Sequence, residues 1–293
     1  MPLATALRNP VGTHVKVGSG LLTGLLPRAS AIGAEVLQVF VGNPRGWALS
    51  EGDPAVDARF REACAAEGIR VFVHAPYLVN LGSPTTATYE RSVASIVHNL
   101  ARAARLGAEG VVVHTGSCVD EGSYDAALRQ VREGLLPVLD HLGEDGPQLL
   151  LESTAGQGRS LCATVDDLGP YLDALDRHPR AGVCFDTCHS FAAGEPLDEP
   201  GGTTRTLDRL VAVAGADRLR LVHANDSQDG RGSCRDRHAP IGEGRIPVAS
   251  LAELLGHPAT AGVPLVLETP GSRDPGDPQM GLLKRLRDGG RPR

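Results

Sequence analysis

Eight short apolar, β-branched runs recur along the chain, and amphipathic stretches rich in Ala, Leu and Arg alternate with them. The runs cover residues 12–17, 35–40, 70–75, 110–115, 148–153, 182–186, 219–224 and 264–269. Helical periodicity is clearest over 88–106, 124–142, 164–176, 203–213 and 248–255. Near-continuous apolar strands alternating with helices imply a parallel sheet covered on its outer face. Eight such units in a chain of this length match a closed (β/α)8 TIM barrel. A doubly wound open sheet competes, but no G-x-G-x-x-G follows a strand to favour it. No long linker or low-complexity segment interrupts the pattern, so one domain is expected over residues 1–293.

Chemistry-bearing residues sit where the apolar runs end. VFVHA reaches His74, VVVHT His114, LLLES Glu152 and VCFDTCH both Asp186 and His189. RLVHAND reaches His223, LVLET reaches Glu268, and the segment CRDRH adds Asp236 and His238. In a barrel the C-terminal strand ends converge on one face, where active sites lie. A lone polar group there is ordinarily a hydrogen-bonded structural residue, which is the reading for His98, His141, His178 and His257. Nine together are different, because a charged group ending an apolar strand is costly without a partner. Five His and four carboxylates form a nitrogen-and-oxygen set suited to zinc or manganese. His14 is expected to support the set.

Composition excludes some classes. The 293 residues are 41% hydrophobic and 22% charged, which excludes general disorder. No apolar run approaches the length of a membrane helix. No charged segment followed by an apolar stretch opens the chain, and the six scattered cysteines contain no C-x-x-C, so buried reduced thiols and a cytoplasmic setting are expected. The net charge of −6 argues weakly against a nucleic-acid partner, since bound cations reverse a local field.

Longer segments are more specific. HAPYLVNLGSP at 74–84, VVVHTGS at 111–117, LESTAGQG at 151–158, GVCFDTCHSFAAG at 182–194, HANDSQDGRGSCRDRHAPIGEG at 223–244 and LETP at 267–270 resemble endonuclease IV. That family comprises zinc-dependent apurinic/apyrimidinic endonucleases of base-excision repair. The resemblance implies three zinc ions per chain, with manganese admissible at one site. His74 and His114 would bind the first, and Glu152 would bridge the first and second. Asp186, His223 and Glu268 would complete the second; His189, Asp236 and His238 would hold the third. Glu152 and Glu268 would be catalytic.

The implied partner is double-stranded DNA containing abasic sites. Cleavage 5′ to the lesion would leave a 3′-hydroxyl and a 5′-deoxyribose phosphate, with 3′-repair diesterase action as a second activity. Tyr77 and Leu78 match a minor-groove wedge, Arg45 an inserted arginine, and Arg237 a phosphate contact. A monomer without membrane attachment is expected. HTGS, Ser153, Gln228 and Pro247 depart from the family pattern; Gln228 removes a cation and Ser153 alters a hydrogen-bonding position. Glu152, Asp186, His223 and Glu268 also resemble the metal quartet of sugar isomerases and epimerases on the same barrel. A non-catalytic zinc or DNA-binding protein is the third reading, disfavoured by the 3% aromatic content and the surplus of ligands.

Overall fold

The computed structural model describes residues 8–18, 20–120 and 123–290. The first seven residues of the N-terminal segment, and both ends of the domain expected over 1–293, lie outside the described residues. Elements follow in the order β1 (Val11–His14), α1 (Leu26–Ile32), β2 (Val36–Val39), α2 (Pro54–Glu67), β3 (Arg70–His74), α3 (Thr86–Leu106), β4 (Gly110–His114), α4 (Tyr124–Asp140) and β5 (Gln148–Glu152). Then come α5 (Leu168–Ala174), β6 (Ala181–Asp186), α6 (Thr187–Ala193), α7 (Gly202–Ala214), β7 (Leu219–His223), the short strands β8 (Asp226–Ser227) and β9 (His238–Ala239), α8 (Val248–Gly256), β10 (Leu265–Leu267) and α9 (Pro278–Arg287).

Strands β1 to β7 and β10 pair in parallel and close, β1 meeting both β2 and β10. This is the (β/α)8 barrel. Its interior carries an apolar ring of Val36, Phe72, Val112, Leu150, Cys184, Leu221 and Val266, one from every barrel strand except β1. There Gly12 stands in register with Val36 and Val266, and a Cβ would lie 1.7 Å from the Val36 carbonyl oxygen, so the ring closes only with glycine. Side chains along a strand alternate between its faces. Two residues further along each barrel strand, the interior positions are His14, Gln38, His74, His114, Glu152, Asp186, His223 and Glu268. One polar side chain per strand therefore stacks on the apolar ring at the C-terminal mouth.

Several helices differ from their periodicity. The stretch 164–176 is helical only over Leu168–Ala174, because Asp167 Oδ2 accepts from the Ala163 and Thr164 amides and holds a turn before it. Helix α2 has no clear stripe because it buries Asp57 among Phe60 and Cys64. That carboxylate is met by Arg102 at 3.1 Å and Arg105 at 2.8 Å from α3. All six cysteines are unpaired and five are buried; Cys234 is exposed, which corrects the expectation for that thiol. Among the described residues, no helix is long and apolar enough to cross a membrane.

Candidate metal centre

Local sequence aims several of the nine. Asp186 ends β6 and caps α6, its Oδ1 accepting from the His189 amide at 2.8 Å. The cap fixes both residues of DTCH in one orientation. Asp236 and His238 arrive from the segment after β8, which pairs antiparallel with β9. Asp226 holds this region by accepting from the amides of Gly242, Gly244 and Ile246.

The nine residues form three groups, the first two sharing Glu152: His74, His114 and Glu152; Glu152, Asp186, His223 and Glu268; His189, Asp236 and His238. In each, the ligand atoms lie within 4.8 Å of one another. Glu152 has no exposed side-chain surface, whereas Glu268 is 14% exposed and faces a cavity of about 700 Å³.

Hydrogen bonds set which nitrogens face these groups. His74 Nδ1 lies 2.6 Å from the Ala75 carbonyl oxygen, which only accepts, so Nδ1 carries the hydrogen. Its Nε2 lone pair then faces Glu152 Oε2 at 3.3 Å, and His114 Nε2 faces the same oxygen at 3.3 Å. That oxygen is buried without a hydrogen-bond partner among the described residues. His189 Nδ1 donates to the Ser153 carbonyl oxygen at 3.1 Å, and Nε2 faces Asp236 Oδ1 at 3.2 Å. His238 Nε2, likewise buried and without a hydrogen bond, faces that oxygen at 3.2 Å.

Gln38 decides the third case. Its Nε2 donates to Glu268 Oε1 at 2.7 Å, so its Oε1 accepts from His223 Nε2 at 2.8 Å. The His223 Nδ1 lone pair thus faces Glu152, Glu268 and Asp186 at 2.9, 3.3 and 3.6 Å. Lone pairs that converge in this way need protons or cations between them. Without a cation, protons serve. Burial opposes the charged forms of His189 and His223, but Asp186 and Asp236 around the first, and Cys184, Glu268 and Glu152 around the second, hold both pKa values well above the usual histidine value. Burial likewise favours neutral Glu152, but His223 and His114 outweigh it and keep its carboxyl well below the usual range. A donor set of imidazoles and carboxylates, with His74, His189 and His223 each oriented through the other ring nitrogen, fits divalent cations. Cys184 and Cys188 adjoin the groups, and burial pushes both thiols up to about 12.

The other residues singled out by sequence fall around this centre. His14 Nδ1 lies 3.1 Å from Glu268 Oε1. Tyr77 and Leu78, 51% and 36% exposed, follow β3, and the Tyr77 ring leans on Phe40, His74 and His114. The Tyr77 amide donates to the Pro44 carbonyl oxygen, tying its loop to that of exposed Arg45. Arg237 is held by Asp229 through Nε and Nη2 at 2.6 and 2.5 Å. Gln228 donates to the His238 carbonyl oxygen. At position 153 it is the backbone carbonyl that meets His189, so this contact does not depend on that side chain. His98, His141, His178 and His257 make contacts with Ser50, Pro137, Asp140 and Asp208, away from the three groups. Sequence reading missed Gln38; the two-residue strand period that marks the neighbouring ligands would have found it.

Residues 26–288 match the xylose isomerase-like TIM barrel family. A curated relative from Streptomyces coelicolor, named probable endonuclease 4, is 56% identical over 283 residues, covering 96% of each chain. The crystal structure of endonuclease IV from Thermus thermophilus superposes with a TM-score of 0.81 at 33% identity, covering 96% of this chain and 98% of that one. The chain belongs to the endonuclease IV family. A D-tagatose 3-epimerase-like protein, 21% identical with a TM-score of 0.71, shares the fold.

Proposed function

We propose that this chain is a zinc-dependent AP endonuclease of DNA repair. It hydrolyses the phosphodiester 5′ to an abasic site in duplex DNA, leaving a 3′-hydroxyl and a 5′-deoxyribose phosphate, with 3′-repair diesterase action on the same centre. The observation that carries this reading is the convergence of five His and four carboxylates into three groups at the barrel mouth. In this reading the chain is one domain, works as a cytoplasmic monomer and takes three zinc ions, manganese being admissible at one site.

His74, His114 and Glu152 would hold the first ion, Glu152, Asp186, His223 and Glu268 the second, and His189, Asp236 and His238 the third. Bound zinc lowers the pKa of water from about 15.7 to roughly 7 and offsets phosphate and leaving-group charge. Exposure divides the two catalytic carboxylates. Glu152 is sealed from the cavity and holds neighbouring ligands in place. Glu268 reaches the cavity, where it accepts a hydrogen bond from the attacking water and aligns it with phosphorus. The P–O3′ bond breaks as the new P–O bond forms, and the 3′-oxygen leaves with a proton. Tyr77 and Leu78 wedge the minor groove, Arg45 enters the gap, and Arg237 contacts phosphate by exchanging its bond to Asp229. An abasic nucleotide has no base to unstack or unpair, so flipping it costs least. The quartet alone would serve a sugar isomerase, but His189, Asp236 and His238 have no part in that reaction.

Protein purified without chelator should carry close to three metals per chain and cleave a duplex with one tetrahydrofuran abasic analogue. Chelation should abolish cleavage, and zinc should restore it. Fully active protein with one metal, or cleavage that survives chelation, overturns the proposal. Tyr77→Ala combined with Leu78→Ala should retain the metals but lose the preference for abasic over intact duplex. Cleavage and selectivity equal to wild type would remove the wedge.

A further inference from the structure

The cations around the barrel mouth fall into two sets. On the side of α6 and β8, three arginines are matched by carboxylates: Arg237 and Arg235 by Asp229, and Arg231 by Glu199 and Asp198. On the opposite side, Lys16, Arg45 and Arg273 line the 700 Å³ cavity together with Glu268 and Tyr77. Among the described residues, none of these three has an ion-pair partner. Topology gathers them: Lys16 follows β1, Arg45 follows β2 and Arg273 follows β10, and β1 pairs with both of the others. Three adjacent strands each deliver one unpaired cation to the same rim, in a chain whose net charge is −6.

Resting on the function proposed above, we propose that Lys16 and Arg273 are phosphate-binding residues that, with Arg45, track a DNA strand across the β10–β1–β2 arc. An unpaired cation gains its whole interaction with a phosphate and releases a condensed counterion from the DNA. Arg237 must first surrender two bonds to Asp229, so its net gain is smaller. Lys16 is also one of only two lysines in the chain, and the other, Lys284, is tied to Glu35, which precedes β2 at the end of the barrel away from the mouth. The arc reads no base, so its contribution is independent of sequence.

The test is the salt dependence of binding of metal-loaded protein to an abasic duplex, by fluorescence anisotropy. Lys16→Ala with Arg273→Gln should make the plot of log affinity against log salt shallower by about 0.9 per lost contact, close to two in all. Metal content and circular dichroism should match wild type. The charge-keeping pair Lys16→Arg and Arg273→Lys should restore the slope, which a merely structural role would not predict. Arg237→Ala should change the slope less than the double variant. A double-variant slope equal to wild type, with the wild type binding normally, overturns the arc and leaves the nuclease reading intact. Failure of metal-loaded wild type to bind or cleave the duplex overturns that reading, and the arc with it.

Discussion

Glu152→Gln is expected to lower single-turnover cleavage of an abasic duplex by about 10³-fold, the scale of losing an electrostatic element of a buried site. One carboxylate has four histidines around it: Nε2 of His74 and of His114 lie 3.3 Å from one oxygen, and the Nδ1 atoms of His189, which carries its hydrogen there, and of His223 lie 3.2 and 2.9 Å from the other. Glutamine keeps the shape but places an amide hydrogen donor where acceptors converge and removes a full negative charge. Two of the three ligand groups share this residue, so metal content should fall from about three per chain toward one, as the third group does not include it. Binding to the folded state stabilises it by mass action, so zinc should raise the wild-type melting temperature well above that of the variant. Elemental analysis and thermal scans with and without zinc check this. Wild-type metal content would remove Glu152 from the centre.

Glu268→Gln should separate catalysis from binding. Glu268 is the residue of the quartet that reaches both the cluster and the cavity, and Gln38 and His14 hold its Oε1. Loss of charge weakens the second group and misaligns the attacking water, an effect of about 10²-fold or more on turnover. DNA affinity should fall much less, because the proposed wedge and the proposed cationic arc lie on other residues. Circular dichroism should stay close to wild type, since β10 and its apolar contacts are untouched. Single-turnover cleavage at saturating enzyme, alongside a binding titration, reads both quantities. Near wild-type cleavage would remove Glu268 from the catalytic role, and global unfolding would show a structural one.

Much of the site was legible because a barrel converts strand periodicity into proximity. Val112 and His114, or Leu150 and Glu152, are two apart, so if one member fills the interior the other must face the same axis. Gln38 obeys this rule as strictly as His74 does, but an uncharged amide at the end of VLQV carries no signal of its own. Its meaning comes from His223 and Glu268, which lie 185 and 230 residues away and meet it only when β2, β7 and β10 share one barrel. Helix α2 escaped for a related reason, as its buried face holds Asp57, whose partners belong to α3.

The sequence by itself determined the barrel and the six polar groups, His74, His114, Glu152, Asp186, His223 and Glu268, that converge at its C-terminal mouth, because these follow from local periodicity and from the cost of ending apolar strands on polar residues. It also carried the family, through long segments such as DTCHSFAAG and GSCRDRHAPIGEG. Only the tertiary structure decided which nitrogen of His74, His189 and His223 faces the carboxylates, because that depends on the hydrogen bonds these imidazoles donate to Ala75, Ser153 and Gln38. Only the tertiary structure decided which arginines are neutralised. Asp229 engages Arg237, while Arg273 and Lys16 line a cavity without an ion-pair partner among the described residues. The physical reason is one of range. Patterning acts between residues a few positions apart, whereas tautomers and free charges are set by groups that meet only after the barrel has closed.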